Sequence, residues 1–491
     1  MKKQLYILTL IAAASCLYAE AQELPLKIYS GKKDTVTTEK QIIVAVTEPG
    51  ATATVNGQTV KVYPTGSFGV EIPLTPGDNK VEVNVTKNGQ ANSTSFNIFR
   101  KEATEVTPKK PVNPLDKERT TSFESPIYVK TTPGAYLQFG NGDDRLGGSK
   151  MGFLAPGITL KVDGEKGWLY RVALSSSRFA YIPKEYTEPA TSGNPVVNTG
   201  SWSITNTGKT DRISIGLPTR LAYQYRTELD PSTITVDLFG ATDNSNWMTQ
   251  RTLDLGIVDY VNFEQIESDV YRVIIRLKEK YQWGFSVDYE GNTLVINVRH
   301  RPQTKGLKGL VVGLDAGHGG EFPGAISPSG IKEKDINLEI VLKLRDMLEK
   351  AGATVVLTRD SDTGPSMTER KRIWKDANVD IAISVHNNSG GSPLSAPGTA
   401  ELYKHTFDRP FAYAIAKRML ELDVNFFGLV QNFNFSLNGP TDYPNMLVEG
   451  LFMSSLEEEA LLGDPDFRTR MARQIFLGLE DYIKEVNNSL K

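Results

Sequence analysis

The sequence predicts a multidomain protein in which three small all-β modules precede an α/β domain with a mostly parallel sheet. The chain has 491 residues, more than the roughly 250–300 residues that a single hydrophobic core accommodates. Short β-branched runs, several with period-two alternation, fill the first part of the chain and are typical of strands. From residue 307 onward, strand-like runs alternate with helical patterns, which indicates βαβ units.

Composition narrows the kinds of site that the chain can build. Lys and Arg number 55 against 58 Asp and Glu, a net charge of −3, so the basic excess typical of nucleic-acid-binding proteins is missing and no nucleic-acid partner is expected. The chain has one Cys and four His. A disulfide framework and a thiolate zinc site are therefore excluded, and any metal site must use His and carboxylate ligands.

The N-terminus predicts export through a signal peptide at residues 1–21. Lys2 and Lys3 precede an apolar run at 5–18, and Ala19 and Ala21 form a small-x-small cleavage site. The run is too short for a membrane span, and no later stretch is long and apolar enough for one. A periplasmic or cell-envelope location is expected.

Cys16 leaves an alternative open. Ala14 and Ser15 before it loosely match a lipoprotein signal, in which the cysteine is acylated and anchors the protein. The soluble form is favoured, because residue 13 is Ala and the apolar run continues past the cysteine.

Residues 24–100 read as the first β module. Strand-sized runs surround Asn56-Gly57 and Asn88-Gly89, dipeptides that favour hairpin turns because both positions tolerate positive φ. This segment resembles the immunoglobulin-like sandwich modules of bacterial cell-surface proteins. Residues 101–122 are rich in Lys, Glu, Thr and Pro and are predicted to form a linker.

Two further β modules follow. Residues 123–190 resemble a bacterial SH3-like barrel, in which Trp168 and Tyr170 lie either in the core or rim or in a ligand groove. Residues 195–300 contain strand runs such as 233–238 and 294–298 and resemble the AMIN module, which precedes many wall amidases and helps to place them on the envelope.

The α/β domain is predicted at residues 307–488. Its expected strands lie at 310–314, 354–357, 381–385, 399–403 and 446–448, and its expected helices at 368–377, 410–422 and 465–486, with another helix carrying Ile336, Ile340, Leu344 and Leu348 on one face.

Three residues that can bind a metal fall at the ends of these elements. His318 follows the first strand, Glu333 begins the first helix, and His386 follows a later strand. Ligands of open α/β sheets bind beyond the carboxyl ends of the strands. Two imidazoles and one carboxylate suit a catalytic zinc with an open fourth position. Glu449, at the end of an apolar strand, is positioned to act beside such a zinc as general base and then general acid.

The C-terminal domain, from about residue 309 to 479, resembles the zinc-dependent N-acetylmuramoyl-L-alanine amidases of the Amidase_3 type. The matching motifs lie at 314–320, 333–338, 357–360, 369–370, 384–388 and 444–449. The resemblance implies that His318, Glu333 and His386 hold one catalytic zinc and that Glu449 is the catalytic carboxylate. It also implies hydrolysis of the amide between N-acetylmuramic acid and the L-alanine of the peptidoglycan stem peptide.

Two alternatives remain open: a zinc peptidase acting within the stem peptide, and an inactive scaffold that binds the cell wall. Peptidoglycan is the expected partner, and envelope or division proteins are candidate partners of the β modules. His405 has no assigned role; a structural one is favoured over substrate contact. Residues 425–442 are predicted to form a rim loop. The spacing between His386 and Glu449 leaves little room for an extra helix that blocks the zinc, so control through delivery by the β modules is expected.

Overall fold

The computed structural model describes residues 23–102, 120–142 and 148–489. The predicted signal peptide, with Cys16, and most of the predicted linker lie outside these residues. Contacts divide the chain into two compact units, Met1–Ala103 and Thr104–Lys491. In the ranges described, no helix combines the length and the apolar character that a membrane crossing requires.

The first unit contains two sheets around one core. One sheet has the strand order β1-β3-β6 and the other β2-β8-β7-β4-β5. Buried side chains such as Phe68 and Val83 fill the space between them. Both predicted hairpin dipeptides take positive φ, with 48° at Asn56 and 54° at Asn88. The strands are β1 Leu26–Ser30, β2 Thr35–Val36, β3 Lys40–Thr47, β4 Thr52–Val55, β5 Gln58–Val60, β6 Ser67–Pro73, β7 Gly77–Lys87 and β8 Gln90–Arg100.

The second unit begins with a seven-stranded sheet of order β11-β10-β14-β13-β12-β9-β15. Trp168 is 45% exposed and Tyr170 is half-buried beside Lys184, so neither occupies the centre of the core. The strands are β9 Thr121–Thr131, β10 Tyr136–Gln138, β11 Lys150–Phe153, β12 Thr159–Lys166, β13 Leu169–Ala173, β14 Phe179–Pro183 and β15 Thr187–Ala190.

A third group of strands shares its hydrophobic core with this sheet. Tyr223 joins the two, since its hydroxyl accepts from Ala155 N at 3.1 Å and donates to Val287 O at 2.9 Å. The sheets have the orders β16-β21, β22-β17-β18-β26-β25 and β19-β20-β24-β23. The strands are β16 Val197–Asn198, β17 Trp202–Asn206, β18 Thr210–Ile215, β19 Tyr223–Leu229, β20 Ser232–Phe239, β21 Ala241–Thr242, β22 Met248–Gln250, β23 Val258–Glu267, β24 Val270–Leu277, β25 Phe285–Glu290 and β26 Thr293–Arg299.

The C-terminal part is a six-stranded sheet of order β28-β27-β29-β32-β30-β31 with helices around it. Neighbouring strands are parallel except for the antiparallel pair β30 and β32. The elements are β27 Val311–Ala316, α1 Glu333–Lys350, β28 Thr354–Leu357, α2 Met367–Asp376, β29 Ile381–Asn388, β30 Thr399–Leu402, α3 Arg409–Met419, β31 Phe426–Val430, β32 Asn445–Phe452, α4 Leu456–Gly463 and α5 Pro465–Asn488. The face of α1 predicted to be apolar is buried.

Two sequence expectations for this domain need correction. The predicted rim loop at 425–442 contains the edge strand β31, which the sequence hides because Phe426 and Phe427 are both exposed and the alternation is missing. Glu449 does not end its strand: β32 continues to Phe452, which pairs with Asn388 after a register shift.

Between His386 and Glu449 the chain forms a single α-helix, α3, besides short 3₁₀ turns. Its buried side chains, Phe411 and Ile415 among them, belong to the domain core. This helix therefore packs in the domain core and supports the sheet.

Candidate functional site

The three predicted metal ligands come together at one edge of the C-terminal sheet. The Nε2 atom of His318 lies 3.1 Å from Oε2 of Glu333, and Nδ1 of His386 lies 3.0 Å from Oε1 of the same carboxylate. One ligand atom from each residue lies within 4.8 Å of the others. These are the donor types that zinc prefers, and their spacing allows one ion to contact all three.

Each ligand is placed by the end of a regular element. His318 follows β27 and takes a left-handed φ of 63°, and its carbonyl accepts a 2.7 Å hydrogen bond from Arg370 on α2. Glu333 is the first residue of α1. His386 lies near the carboxyl end of β29.

Glycine at two positions makes room for the ligands. A Cβ on Gly317 would overlap the imidazole of His386, and a Cβ on Gly324 would overlap the carboxylate of Glu333. Gly324 also takes a φ of 69°, a conformation that favours glycine. Gly324 was not among the predicted site residues.

Hydrogen bonds orient Glu333 further. Asn337, one helical turn later, donates to Glu333 Oε1 and to Gly317 O, both at 3.2 Å, and it accepts from Asn387 at 2.8 Å. The amide of Ala325 donates to Glu333 Oε2 at 2.8 Å. Asn337 was not among the predicted site residues, although its i+4 spacing from Glu333 offered a signal.

A buried ion pair supports the segment that carries His318. Asp315 and Arg370 are 1% and 2% exposed, and their side chains lie 2.5 Å apart. Ser384 and Thr358 donate their hydroxyls to Asp315 at 2.6 and 2.5 Å. Both charged residues fall in the motifs quoted above, but only the structure assigns them to one network.

The charges at the site favour the ionised form of the Glu333 carboxylate. Burial alone would raise the pKa of Glu333, but hydrogen bonds from His318 and His386 outweigh burial and hold it well below its usual range. Burial likewise opposes protonation of His386, while Glu333 and Glu449 outweigh burial and raise the pKa of the imidazole. A cationic metal would be favoured by the same negative charges.

Glu449 lies on the strand next to His386. The two residues are register partners of β29 and β32, so their side chains point to the same face of the sheet. Glu449 is 7% exposed. The carboxylate therefore lies beside the candidate metal ligands in a partly water-excluded position.

His405 takes a structural position. Its Nε2 lies 2.9 Å from the carbonyl oxygen of Gly439, and its ring stacks on Phe407 with an interplanar angle of 10°. Burial lowers its pKa to about 4, so the ring is neutral at physiological pH. It is not a member of the metal cluster.

Comparison with known proteins identifies two segments of the chain. The family model of N-acetylmuramoyl-L-alanine amidase (Amidase_3) matches residues 312–481, and that of the AMIN domain matches residues 202–298. Both segments lie within the second compact unit.

Relatives align chiefly with the C-terminal part. The N-acetylmuramoyl-L-alanine amidase AmiC of Neisseria meningitidis is 30% identical over 35% of this chain, and the alignment spans 52% of that protein. The germination-specific N-acetylmuramoyl-L-alanine amidase of Bacillus subtilis is 28% identical over 38% of this chain and 84% of its own length. The endolysin of Bacillus phage SPP1 is 34% identical over 37% of this chain and 67% of its own length. Through its C-terminal domain, the chain belongs to the N-acetylmuramoyl-L-alanine amidase family.

Proposed function

We propose that this protein is a zinc-dependent hydrolase that cleaves the amide between N-acetylmuramic acid and L-alanine in peptidoglycan. The observation that carries the proposal is the convergence of His318, Glu333 and His386 beside Glu449. The matching family supports the choice of bond.

His318, Glu333 and His386 would hold the zinc. When bound there, zinc supplies Lewis-acid chemistry that polarises the scissile carbonyl and makes water more acidic. The carboxylate of Glu449 takes a proton from the attacking water. It then delivers this proton to the L-alanine nitrogen as the carbon–nitrogen bond breaks. Asn337 and the Asp315–Arg370 pair keep the ligands in place throughout.

The upstream modules place the enzyme on its substrate. In this proposal residues 24–100 form an immunoglobulin-like sandwich, residues 123–190 an SH3-like barrel and residues 195–300 the AMIN-like domain that precedes the catalytic domain at 307–488. The protein is exported to the periplasm or cell envelope through the signal at 1–21, with peptidoglycan as its partner. Envelope or division proteins bind through the β modules.

The decisive experiment is digestion of purified peptidoglycan by the mature protein with and without a chelator, followed by product masses. Chelator-sensitive release of stem peptides with an N-terminal L-alanine supports the proposal. Products cut within the stem peptide would instead establish a peptidase. Normal zinc content without any dye release from labelled peptidoglycan would establish a scaffold.

We expect control through delivery by the β modules, and the packing of α3 in the core supports this expectation. The purified mature protein should therefore digest peptidoglycan without an added activator. Strict dependence on an activator would contradict this part of the proposal.

A further inference from the structure

A cavity of about 410 Å³ lies beside the candidate metal centre. Residues of β11, β19 and the segment 431–435 line it. Phe435 is one of these residues, and its ring centre lies 6.1 Å from that of His386. The cavity therefore begins one side chain away from the metal ligands, and it is completed by parts of the chain outside the amidase domain.

Hydrogen bonds fix the segment 431–435 against residues 148–149, just before the strand β11. Lys404 donates to the side-chain oxygens of Asn432 and Asn434 at 2.5 and 2.9 Å. Asn434 in turn donates to Gly148 O at 2.8 Å, and Asn432 donates to Ser149 Oγ at 2.9 Å. Contacts between the β9–β15 sheet region and the C-terminal domain thus form the cavity before any ligand binds.

The charged groups of the cavity favour an anion. Among the described residues that line it, Lys150, Lys404 and Arg226 are basic and Glu228 alone is acidic. Arg226 is already paired with Asp237 at 3.5 Å. Burial, and to a smaller extent the charge of Lys150, lower the pKa of Lys404 to about 8. A bound carboxylate would offset the effect of burial and of the Lys150 charge on the Lys404 ammonium.

Lys150 is the better placed of the two lysines to contact a ligand. Lys404 uses its donors on the two asparagines and on Lys150 O. The Lys150 ammonium instead lies 4.6 Å from the ring centre of Tyr136, and within the described ranges it has no carboxylate partner. Phe433 and Phe435, whose ring centres are 4.3 Å apart, offer an apolar surface to the rest of the ligand.

We propose that this cavity binds a carboxylate of the peptide on the leaving-group side of the scissile amide, with the Lys150 ammonium as its anchor. The inference rests on the proposed function, because it assigns the cavity to the same substrate. An extended peptide advances about 3.3–3.6 Å per residue. In this proposal its second and third residues pass Phe435 and reach the cavity.

The test compares two synthetic N-acetylmuramoyl tetrapeptides, one with free carboxylates and one with those carboxylates amidated. We expect Lys150→Gln to lower the ratio of kcat/KM for the acidic over the amidated substrate about tenfold, the cost of one lost charged hydrogen bond. The loss should lie in KM, and Lys150→Arg should restore most of it. Lys161→Gln, at an exposed lysine on the strand β12 of the same sheet, should keep the ratio of the wild type.

An unchanged ratio in Lys150→Gln, while the wild type cleaves both substrates, overturns the inference and leaves the proposed function intact. If the wild type cleaves neither substrate, the proposed function fails. The cavity is then tested separately by calorimetric titration with the L-alanyl tetrapeptide, where loss of binding in Lys150→Gln supports the site and equal binding overturns it.

Discussion

Glu449 and His386 are register partners on the neighbouring parallel strands β32 and β29. Because side chains alternate along a strand, register partners point to the same face of the sheet. The carboxylate thus approaches the candidate metal ligands from the strand, while Glu333 approaches from the start of α1. The two glutamates are held by different elements and can serve different roles.

Replacement of Glu449 should separate catalysis from metal binding. We expect Glu449→Gln to lower kcat by about 10²–10⁴-fold, the usual contribution of a general acid–base group, with zinc content unchanged. Dye release from labelled peptidoglycan and atomic absorption measure the two effects.

Glu401 on β30 is a matched control for that variant. It is also buried, and burial raises its pKa to about 8, so the side chain is protonated at neutral pH and Gln replaces it with little change. Glu401→Gln should keep most of the wild-type turnover. Equal losses in the two variants would remove Glu449 from the proposed mechanism.

Replacement of Glu333 should abolish metal binding. Its carboxylate faces both histidines, at 3.1 and 3.0 Å, so Glu333→Gln removes the anionic ligand and leaves two neutral donors. We expect purified Glu333→Gln to contain little zinc and to lack activity. Glu339→Gln is the control on the same helix, since Glu339 pairs with Arg468 at 2.8 Å, away from the metal ligands. Full zinc content in Glu333→Gln would contradict its assignment as a ligand.

The third prediction concerns Gly317, where a larger residue should weaken zinc binding. A methyl group there would overlap the imidazole of His386, so Gly317→Ala should displace this ligand. We expect zinc affinity to fall by about 10–100-fold, as is common when the support of a ligand is altered. Gly216→Ala is the control, because its nearest neighbour would lie 3.6 Å from the new Cβ. Competition with a fluorescent chelator measures both affinities, and equal affinities would argue against this packing constraint.

The positions of the three candidate metal ligands could be predicted because hydrophobic periodicity shows where strands end and helices begin. Their role as ligands stays a prediction. His318, Glu333 and His386 could be assigned to the end of a strand or the start of a helix from hydrophobic periodicity, and parallel strands bring such ends to one edge. Glu449 was predicted to end its strand, and this was wrong, because β32 continues past the apolar run to Phe452.

Contacts between segments that are distant in the sequence could not be predicted from local patterns. Lys404 reaches Lys150 O across 254 residues of sequence, and no local pattern encodes that approach. The hydrogen bonds of Arg370 to Asp315 and His318 are equally non-local. The charge of Asp315 in an apolar strand indicates only that some buried partner must exist.

The last prediction concerns the loss of Arg370, the buried partner of Asp315. Burial alone would raise the pKa of Asp315, but the charge of Arg370 and the hydroxyls of Ser384 and Thr358 hold it below its usual value. A carboxyl group with a lowered pKa stabilises the folded state above the unfolded pKa of about 3.9, and this contribution disappears as the pH falls through the folded value. Arg370→Met leaves the carboxylate buried without its cation, which costs about 3–5 kcal/mol at pH 7.

In Arg370→Met the pKa of Asp315 should rise. Lowering the pH should therefore protonate this carboxyl group and reduce the destabilisation of the variant. We expect the difference in the free energy of opening between wild type and Arg370→Met to be large at pH 7 and to shrink toward pH of about 4. Hydrogen exchange of peptides that cover β27 measures it. Arg372→Met on the same helix is the control, because its pair with Asp376 is exposed and contributes at most about 1 kcal/mol. A difference that is independent of pH, or equal in the two variants, would show that Arg370 acts through packing and not through the charge of Asp315.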